Sequence, residues 1–149
     1  MDAIDRKILK VLQGDARASL QQVGQAVGLS ASPCWERIRK MEAAGVIEGY
    51  TVRLNAQALG YGDTVLVQLT LDSHTDNTLE KFGEVLATIP EVIEAYLVSG
   101  EYDYLLRVAV KDTRDYERLL RERLYKIKGI RHSKSSFVLR TLKKADLPL

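Results

Sequence analysis

What most constrains the fold of this chain is the order in which hydrophobic periods change between residues 64 and 142. Val65, Val67, Leu69 and Leu71 recur at every second position, the period of a β-strand. Leu79, Phe82, Val85, Leu86 and Ile89 then recur at the three-to-four spacing of a helix, which Asp76 can cap and Pro90 ends. Val92 to Ser99 reads as a second strand, Gly100-Glu101-Tyr102-Asp103 as a turn, and Tyr104 to Lys111 as a third strand. A further helix starts at Asp112 or Thr113, carries Tyr116, Leu119, Leu120, Leu124 and Ile127 along one side, and closes at Gly129. Arg131 to Leu142 is a long final strand. The order βαββαβ predicts a ferredoxin-like sandwich: a four-stranded antiparallel sheet with both helices on one face. The other face has no intrachain cover, and Leu66, Ile93, Leu97 and Leu105 make both faces apolar, so a second subunit is expected there.

The first third of the chain is helical instead. Ile4, Ile8, Val11 and Leu12 form one apolar stripe that stops at Gly14-Asp15. Ser19 and Gln22 have the spacing of a capping box, and Leu20, Val23, Ala26 and Val27 make the buried stripe of a short second helix. Gly28 ends that helix, Ser30 can cap the next, and Pro33 sits in a first turn where its missing N–H costs little. On the third helix Cys34, Ile38 and Met41 share a stripe, while Ser32, Glu36, Arg39, Lys40 and Ala43 point away from it. Three helices with a tight glycine turn between the last two are a helix-turn-helix, in which the second helix of the pair enters the major groove of DNA. Val46 to Leu54 is rich in strand formers with a bend at Gly49, which predicts a β ribbon and hence a winged domain. The expected organisation is α+β: a winged helix-turn-helix over 1–54, a linker over 55–63 containing Gly60 and Gly62, and the ferredoxin-like domain over 64–149.

A formal net charge of +2 does not by itself argue for nucleic acid, but its distribution adds something. Residues 1–55 hold eight Lys and Arg against six Asp and Glu, and the remainder is balanced, so the whole excess lies in the helical third. The single cysteine, Cys34, cannot form an intrachain disulfide and fits a reducing interior. No apolar run reaches the ~20 residues of a membrane span, and no signal-peptide pattern opens the chain. The expected location is the cytoplasm, with no membrane partner. Support for an enzyme is thin: His74 and His132 are the only histidines, Cys34 lies on an apolar stripe, and neither a phosphate-binding glycine loop nor metal-ligand spacing appears. No catalytic residue, metal site or cofactor is expected.

The chain resembles the Lrp/AsnC family of transcriptional regulators along essentially its whole length. The resemblance is carried by Ile4-Asp5-Arg6-Lys7-Ile8-Leu9, Val27-Gly28-Leu29-Ser30, Ser32-Pro33-Cys34-Trp35-Glu36-Arg37-Ile38 and Gly49-Tyr50-Thr51. Its most specific part is Leu97-Val98-Ser99-Gly100-Glu101-Tyr102-Asp103-Tyr104-Leu105-Leu106. It implies a regulator whose second domain dimerises, assembles further, often to octamers, and binds a small amino acid. Its partners are then double-stranded DNA, other copies of itself and that ligand. The alternative within DNA-binding proteins is a chromosome-organising protein that answers to no ligand.

On the DNA side the candidates are Gln21 and Gln22 at the start of the second helix, and Ser30, Ser32, Trp35, Glu36, Arg37, Arg39 and Lys40 on or before the third. Arg39 and Lys40 are expected to make phosphate or groove contacts. Arg37 lies nearer the core stripe and is open to a second role as a structural ion-pair partner. Trp35 flanks the same stripe and either packs inside or meets DNA. On the effector side, the Gly100-Glu101-Tyr102-Asp103 turn offers an α-amino acid both backbone N–H groups for its carboxylate and Asp103 for its ammonium. The family places its effector at this turn, near a junction between dimers, and the match covers Gly100, Asp103 and Tyr104. Tyr102, Thr113, Ser135 and Ser136 are looser carry-overs from the resemblance. Read without it, the same turn is a β-turn in which Asp103 caps its own backbone.

Overall fold

The computed structural model of the chain describes residues 1–73 and 76–149, the side chains of 76–78 excepted. His74 and the expected capping side chain of Asp76 lie outside that set. The chain forms two compact units, residues 1–53 with 143–149, and residues 54–142. Residues 143–149 contact the first unit: Arg53 Nη2 lies 2.6 Å from both carboxylate oxygens of Asp146, and Gln13 Nε2 donates to the Leu147 carbonyl at 3.3 Å.

The first unit contains α1 (Ala3–Gly14), α2 (Leu20–Val27) and α3 (Ala31–Ala43) around Ile8, Val23, Cys34, Ile38 and Met41. Asp2 caps α1, accepting from the Ile4 and Asp5 N–H groups, while Asp5 accepts from the Asp2 N–H in return. The capping box expected on α2 is present: Ser19 Oγ accepts from the Gln22 N–H at 3.2 Å and Gln22 Oε1 from the Ser19 N–H at 2.7 Å. Ser30 holds the N-cap position of α3, but its hydroxyl makes no capping bond, contrary to expectation. The buried stripe of α2 also differs: Leu20 and Ala26 are exposed, and Val23 and Gly24 are buried. Gly24 is buried because the chain turns back across it at Gly28, whose φ is +76°, and brings the Leu29 carbonyl to 2.4 Å from where a Cβ at residue 24 would stand.

The expected β ribbon over 46–54 does not form, so the unit is a helix-turn-helix without a wing. A strand requires a partner for its N–H and C=O groups, and here the first donors are used elsewhere. The Val46 and Ile47 N–H groups both bond to the Met41 carbonyl, at 2.9 and 3.2 Å, closing the end of α3. Further on, the Tyr50 hydroxyl donates to Glu42 on the same helix at 3.0 Å.

The second unit contains β1 (Asp63–Leu71), α4 (Asp76–Ala87), β2 (Val92–Leu97), β3 (Tyr104–Val110), α5 (Thr113–Glu122) and β4 (Ile130–Phe137), preceded by a 3-10 turn at Gln57–Leu59. The strands form one antiparallel sheet in the order β2-β3-β1-β4, as the βαββαβ pattern requires. Val65, Val67, Leu69 and Leu71 of β1 and Tyr104, Leu106, Val108 and Val110 of β3 pack with Phe82, Leu86, Ile89, Tyr116, Leu119 and Leu124 in one core. β4 is shorter than the expected 131–142. Its partner β1 begins at Asp63, so the ladder ends with the Val138 N–H on the Thr64 carbonyl at 2.9 Å, and later residues have no strand to pair with. α5 ends sooner than its stripe suggested: Arg123 leaves helical geometry at φ −123° and ψ −70°, and a 3-10 turn, Leu124–Lys126, still buries Leu124.

The open face of the sheet carries Leu66, Leu105 and Tyr96 together with a cross-strand pair in which Arg107 binds Glu94 at 2.8 and 2.6 Å. Ile93 and Leu97, expected on that face, instead line a groove of about 510 Å³ between β2 and α4. A register shift between Val92 and Glu94 accounts for this change of side.

Candidate functional site

α3 turns 100° per residue, so with Cys34, Ile38 and Met41 buried its outward face centres on Ser32, Glu36, Arg39 and Ala43. Trp35 and Lys40 stand on the two flanks of that face, and Arg37 lies further round. All but Arg37 are exposed, as are Gln21, Gln22 and Ser30 at the helix starts. The Gln22 side-chain carbonyl is already occupied by the α2 cap.

The two arginines of α3 have opposite surroundings. Arg37 Nη1 bridges Asp2 and Asp5, at 2.7 Å from each, and so straps α3 to the start of α1. The Asp5 N–H and then the Arg37 guanidinium hold the Asp2 carboxyl down to about 2, and the Asp2 N–H and then Arg37 lower that of Asp5. Of the two roles left open for Arg37, these contacts support the ion-pair strut. Arg39 makes no hydrogen bond among the described residues. Its guanidinium carbon lies 5.8 Å from the centroid of the Trp35 ring, and its nearest carboxylate, Glu42, is 4.0 Å away. Trp35, open in the sequence between core and surface, is 52% exposed.

In the second unit Gly100 has φ +126°, where an L side chain is strained, and begins the turn into β3. Asp103 stitches three strands together. Its N–H donates to the Leu69 carbonyl and its carbonyl accepts from the Val98 N–H, both at 2.9 Å. Its carboxylate Oδ2 accepts from the Leu71 N–H at 2.7 Å, on the side of β1 that faces β3 and one step beyond the last β1–β3 pair, Leu69 with Tyr104. Glu101 is exposed and Tyr102 half-buried beside it.

The remaining candidates do not converge with this turn within one chain. Tyr104 is buried: its ring stacks near Phe82 at 4.9 Å and its hydroxyl donates to the Leu79 carbonyl at 2.7 Å, so its side chain belongs to the core. Ser135 and Ser136 alternate along β4 and face opposite sides of the sheet. Ser135 shares a short hydrogen bond with the Tyr116 hydroxyl on the helix side. Burial raises the Tyr116 phenol, and the Ser135 bond opposes that rise. Thr113 opens α5, beyond the far end of β3 from Gly100. β3 has seven residues, and a strand rises by about 3.4 Å per residue, which separates the two by roughly 20 Å.

A helix-turn-helix whose last helix carries cations and an aromatic ring outward, on a chain with a separate four-stranded sheet unit, fits a DNA-binding transcription regulator with its own ligand-binding domain. Comparison with known proteins agrees in both halves. Residues 1–42 match the AsnC-type helix-turn-helix domain and residues 64–148 the Lrp/AsnC ligand binding domain. The chain is 38% identical over 146 residues to the leucine-responsive regulatory protein of Escherichia coli strain K12, covering 98% of this chain and 89% of that protein. An AsnC family transcriptional regulator from Agrobacterium tumefaciens superposes with a TM-score of 0.94 at 40% identity, covering 99% of this chain and 97% of that one. A transcriptional regulator from Neisseria meningitidis, crystallised with L-Met, also gives 0.94 at 30% identity, covering 99% and 96%. The feast or famine regulatory protein of M. tuberculosis, complexed with L-methionine, gives 0.85 at 31% identity, covering 99% and 97%. The chain belongs to the Lrp/AsnC family and is a ligand-responsive, DNA-binding regulator of transcription.

Proposed function

We propose that the ligand is a small α-amino acid, bound at the Gly100-Glu101-Tyr102-Asp103 turn, and that its binding changes how copies of the chain assemble and hold DNA. What carries this reading is the combination of a positive-φ glycine turn with a carboxylate at its end, on a chain similar to two regulators crystallised with L-methionine. Backbone N–H groups of the turn receive the ligand carboxylate, and Asp103 faces its ammonium. Thr113 joins the site from another copy, since within one chain it lies at the wrong end of β3. The protein works as a homodimer whose open sheet faces meet, within a larger assembly such as an octamer, in the cytoplasm and without a catalytic role. The effect of a ligand on such an equilibrium equals its difference in affinity between the assembled states, so the effector shifts assembly by binding one of them better.

On the DNA side, Ser32, Glu36, Arg39 and Lys40 of α3, with Trp35 and Ser30, meet the major groove, and Gln21 and Gln22 approach the backbone. A thermal-shift panel of L- and D-amino acids, followed by DNA mobility shifts with each ligand that stabilises, tests the effector. Stereospecific stabilisation is expected. No stabilisation by any amino acid refutes the assignment and leaves a DNA-organising protein. On the DNA side Lys40→Ala is expected to weaken binding and to shallow the dependence of log affinity on log salt by about one unit. An unchanged isotherm across salt takes this face of α3 out of the interface.

A further inference from the structure

We propose that Trp35 and Arg39 act as one reading unit, in which the indole ring holds the guanidinium in place to bond the edge of a guanine in the major groove. The inference rests on the reading of α3 as the helix that meets DNA and says what that helix recognises.

Four observations support it. Trp35 is the only tryptophan in the chain and is 52% exposed, although half the surface of so large an apolar side chain has no role in the packing of this unit. Arg39 stands one turn later on the same side, with its guanidinium 5.8 Å from the indole centroid, within the range of a cation–π contact. Its side chain is 66% exposed, and its one carboxylate neighbour, Glu42, is at 4.0 Å, too far for a hydrogen bond. Arg37, two residues away, has both its carboxylate partners at 2.7 Å and serves the fold, so the contrast is between two arginines of one helix.

An arginine on a flexible stem loses rotamer freedom whenever it binds. Stacked on an aromatic face, part of that loss is met before DNA arrives, while the planar fork of N–H donors stays open. Guanine presents two acceptors, O6 and N7, at the spacing of that fork, and adenine presents one acceptor beside a donor. The indole, lying beside the guanidinium, is left to pack against the neighbouring base or its sugar. A phosphate also accepts that fork, but a lysine serves it as a point charge, so a held orientation adds most at a base edge, where the spacing of the acceptors discriminates. The target chemistry is thus a guanine at one fixed position of each half-site.

The full-length chain is used to select duplexes from a random-sequence pool, and the selection is repeated with Arg39→Lys, Trp35→Ala and Trp35→Phe. Both sites are exposed, and circular dichroism verifies that each variant is folded. Arg39→Lys keeps the charge, so its salt dependence stays that of the parent while the preference for guanine at one position per half-site falls by roughly 5- to 150-fold. Trp35→Ala weakens binding about two- to five-fold and broadens the same position, whereas Trp35→Phe retains part of both. Because Trp35 is the sole tryptophan, its emission also shifts and becomes protected from acrylamide when the selected duplex saturates the protein. Selection of the same sequences with the same affinity by Arg39→Lys and Trp35→Ala overturns the proposal, as does emission that DNA leaves unchanged. If Lys40→Ala weakens binding but these variants do not, the reading pair is wrong and the helix assignment stands. If none of the three alters binding, the helix assignment itself has failed.

Discussion

Gly24→Ala places a methyl group inside the turn between α2 and α3, and its consequence can be worked out from two distances. The new Cβ would stand 2.4 Å from the Leu29 carbonyl oxygen and 3.4 Å from its carbon. Ordinary C···O approaches are 3.3–3.6 Å, so the turn must open by about 1 Å. Both sides of the contact are backbone, and the Leu29 N–H bonds to the Gly24 carbonyl at 2.9 Å, so opening the turn strains that bond as well. Overpacking of this kind costs ~1–3 kcal/mol and a lost hydrogen bond ~1 kcal/mol. In the opposite direction, alanine is the better helix residue by about 1 kcal/mol. The balance is a destabilisation of ~1–3 kcal/mol, where each kcal/mol lowers the melting temperature of a unit this size by about 4–8 °C. Trp35 emission, which reports on the first unit alone, follows the melt, and DNA mobility shifts report whether the α2–α3 pair still supports DNA binding. Gly14→Ala is the control, because a Cβ there meets nothing within 4 Å. A Gly24→Ala protein that melts at or above the parent temperature refutes the close approach.

Two further outcomes are expected. The carboxyls of Asp2 and Asp5 titrate below their unfolded values, so the stability they confer is complete above about pH 4 and is lost as the pH falls toward the folded Asp2 value of about 2. Acid titrations of the first unit should lose more of this dependence in Asp2→Asn than in Arg37→Ala, because the capping N–H is the larger cause for Asp2; the reverse order contradicts the assignment. At the sheet edge, Asp103→Asn retains an oxygen for the Leu71 N–H but no charge, so the fold should hold while affinity for an amino acid falls. Asp103→Ala should also lose ~1–3 kcal/mol of stability. Calorimetric titration in which Asp103→Asn matches the parent removes Asp103 from the ligand site.

What was legible in the sequence depended on how local its cause was. The Ser19–Gln22 box and the Cys34, Ile38, Met41 stripe are set by residues three and four apart, and both stand as read. The ribbon over 46–54 was misread because strand-forming side chains do not reveal whether a partner exists, and the Met41 carbonyl had taken its first N–H groups. The end of β4 was likewise set by where β1 begins, some 70 residues earlier. Arg37 and Arg39 look alike in sequence, and only the position of α1 separates strut from exposed cation. The Ser135-Ser136 pair is a case in which the strand period alone was enough to show that one site cannot take both side chains from the same chain.

The separation of Gly100 from Thr113 along β3 bears on how such a regulator behaves in a cell. If the site takes Thr113 from another copy, as proposed, a lone chain holds only part of it, and a dilute protein needs more ligand to respond because binding must also drive assembly. The threshold of the response then depends on how much of the regulator has been made as well as on how much metabolite is present. On that reading gene dosage becomes a second input to the circuit, and a cell that halves its supply of the protein detunes the sensor without touching the binding site.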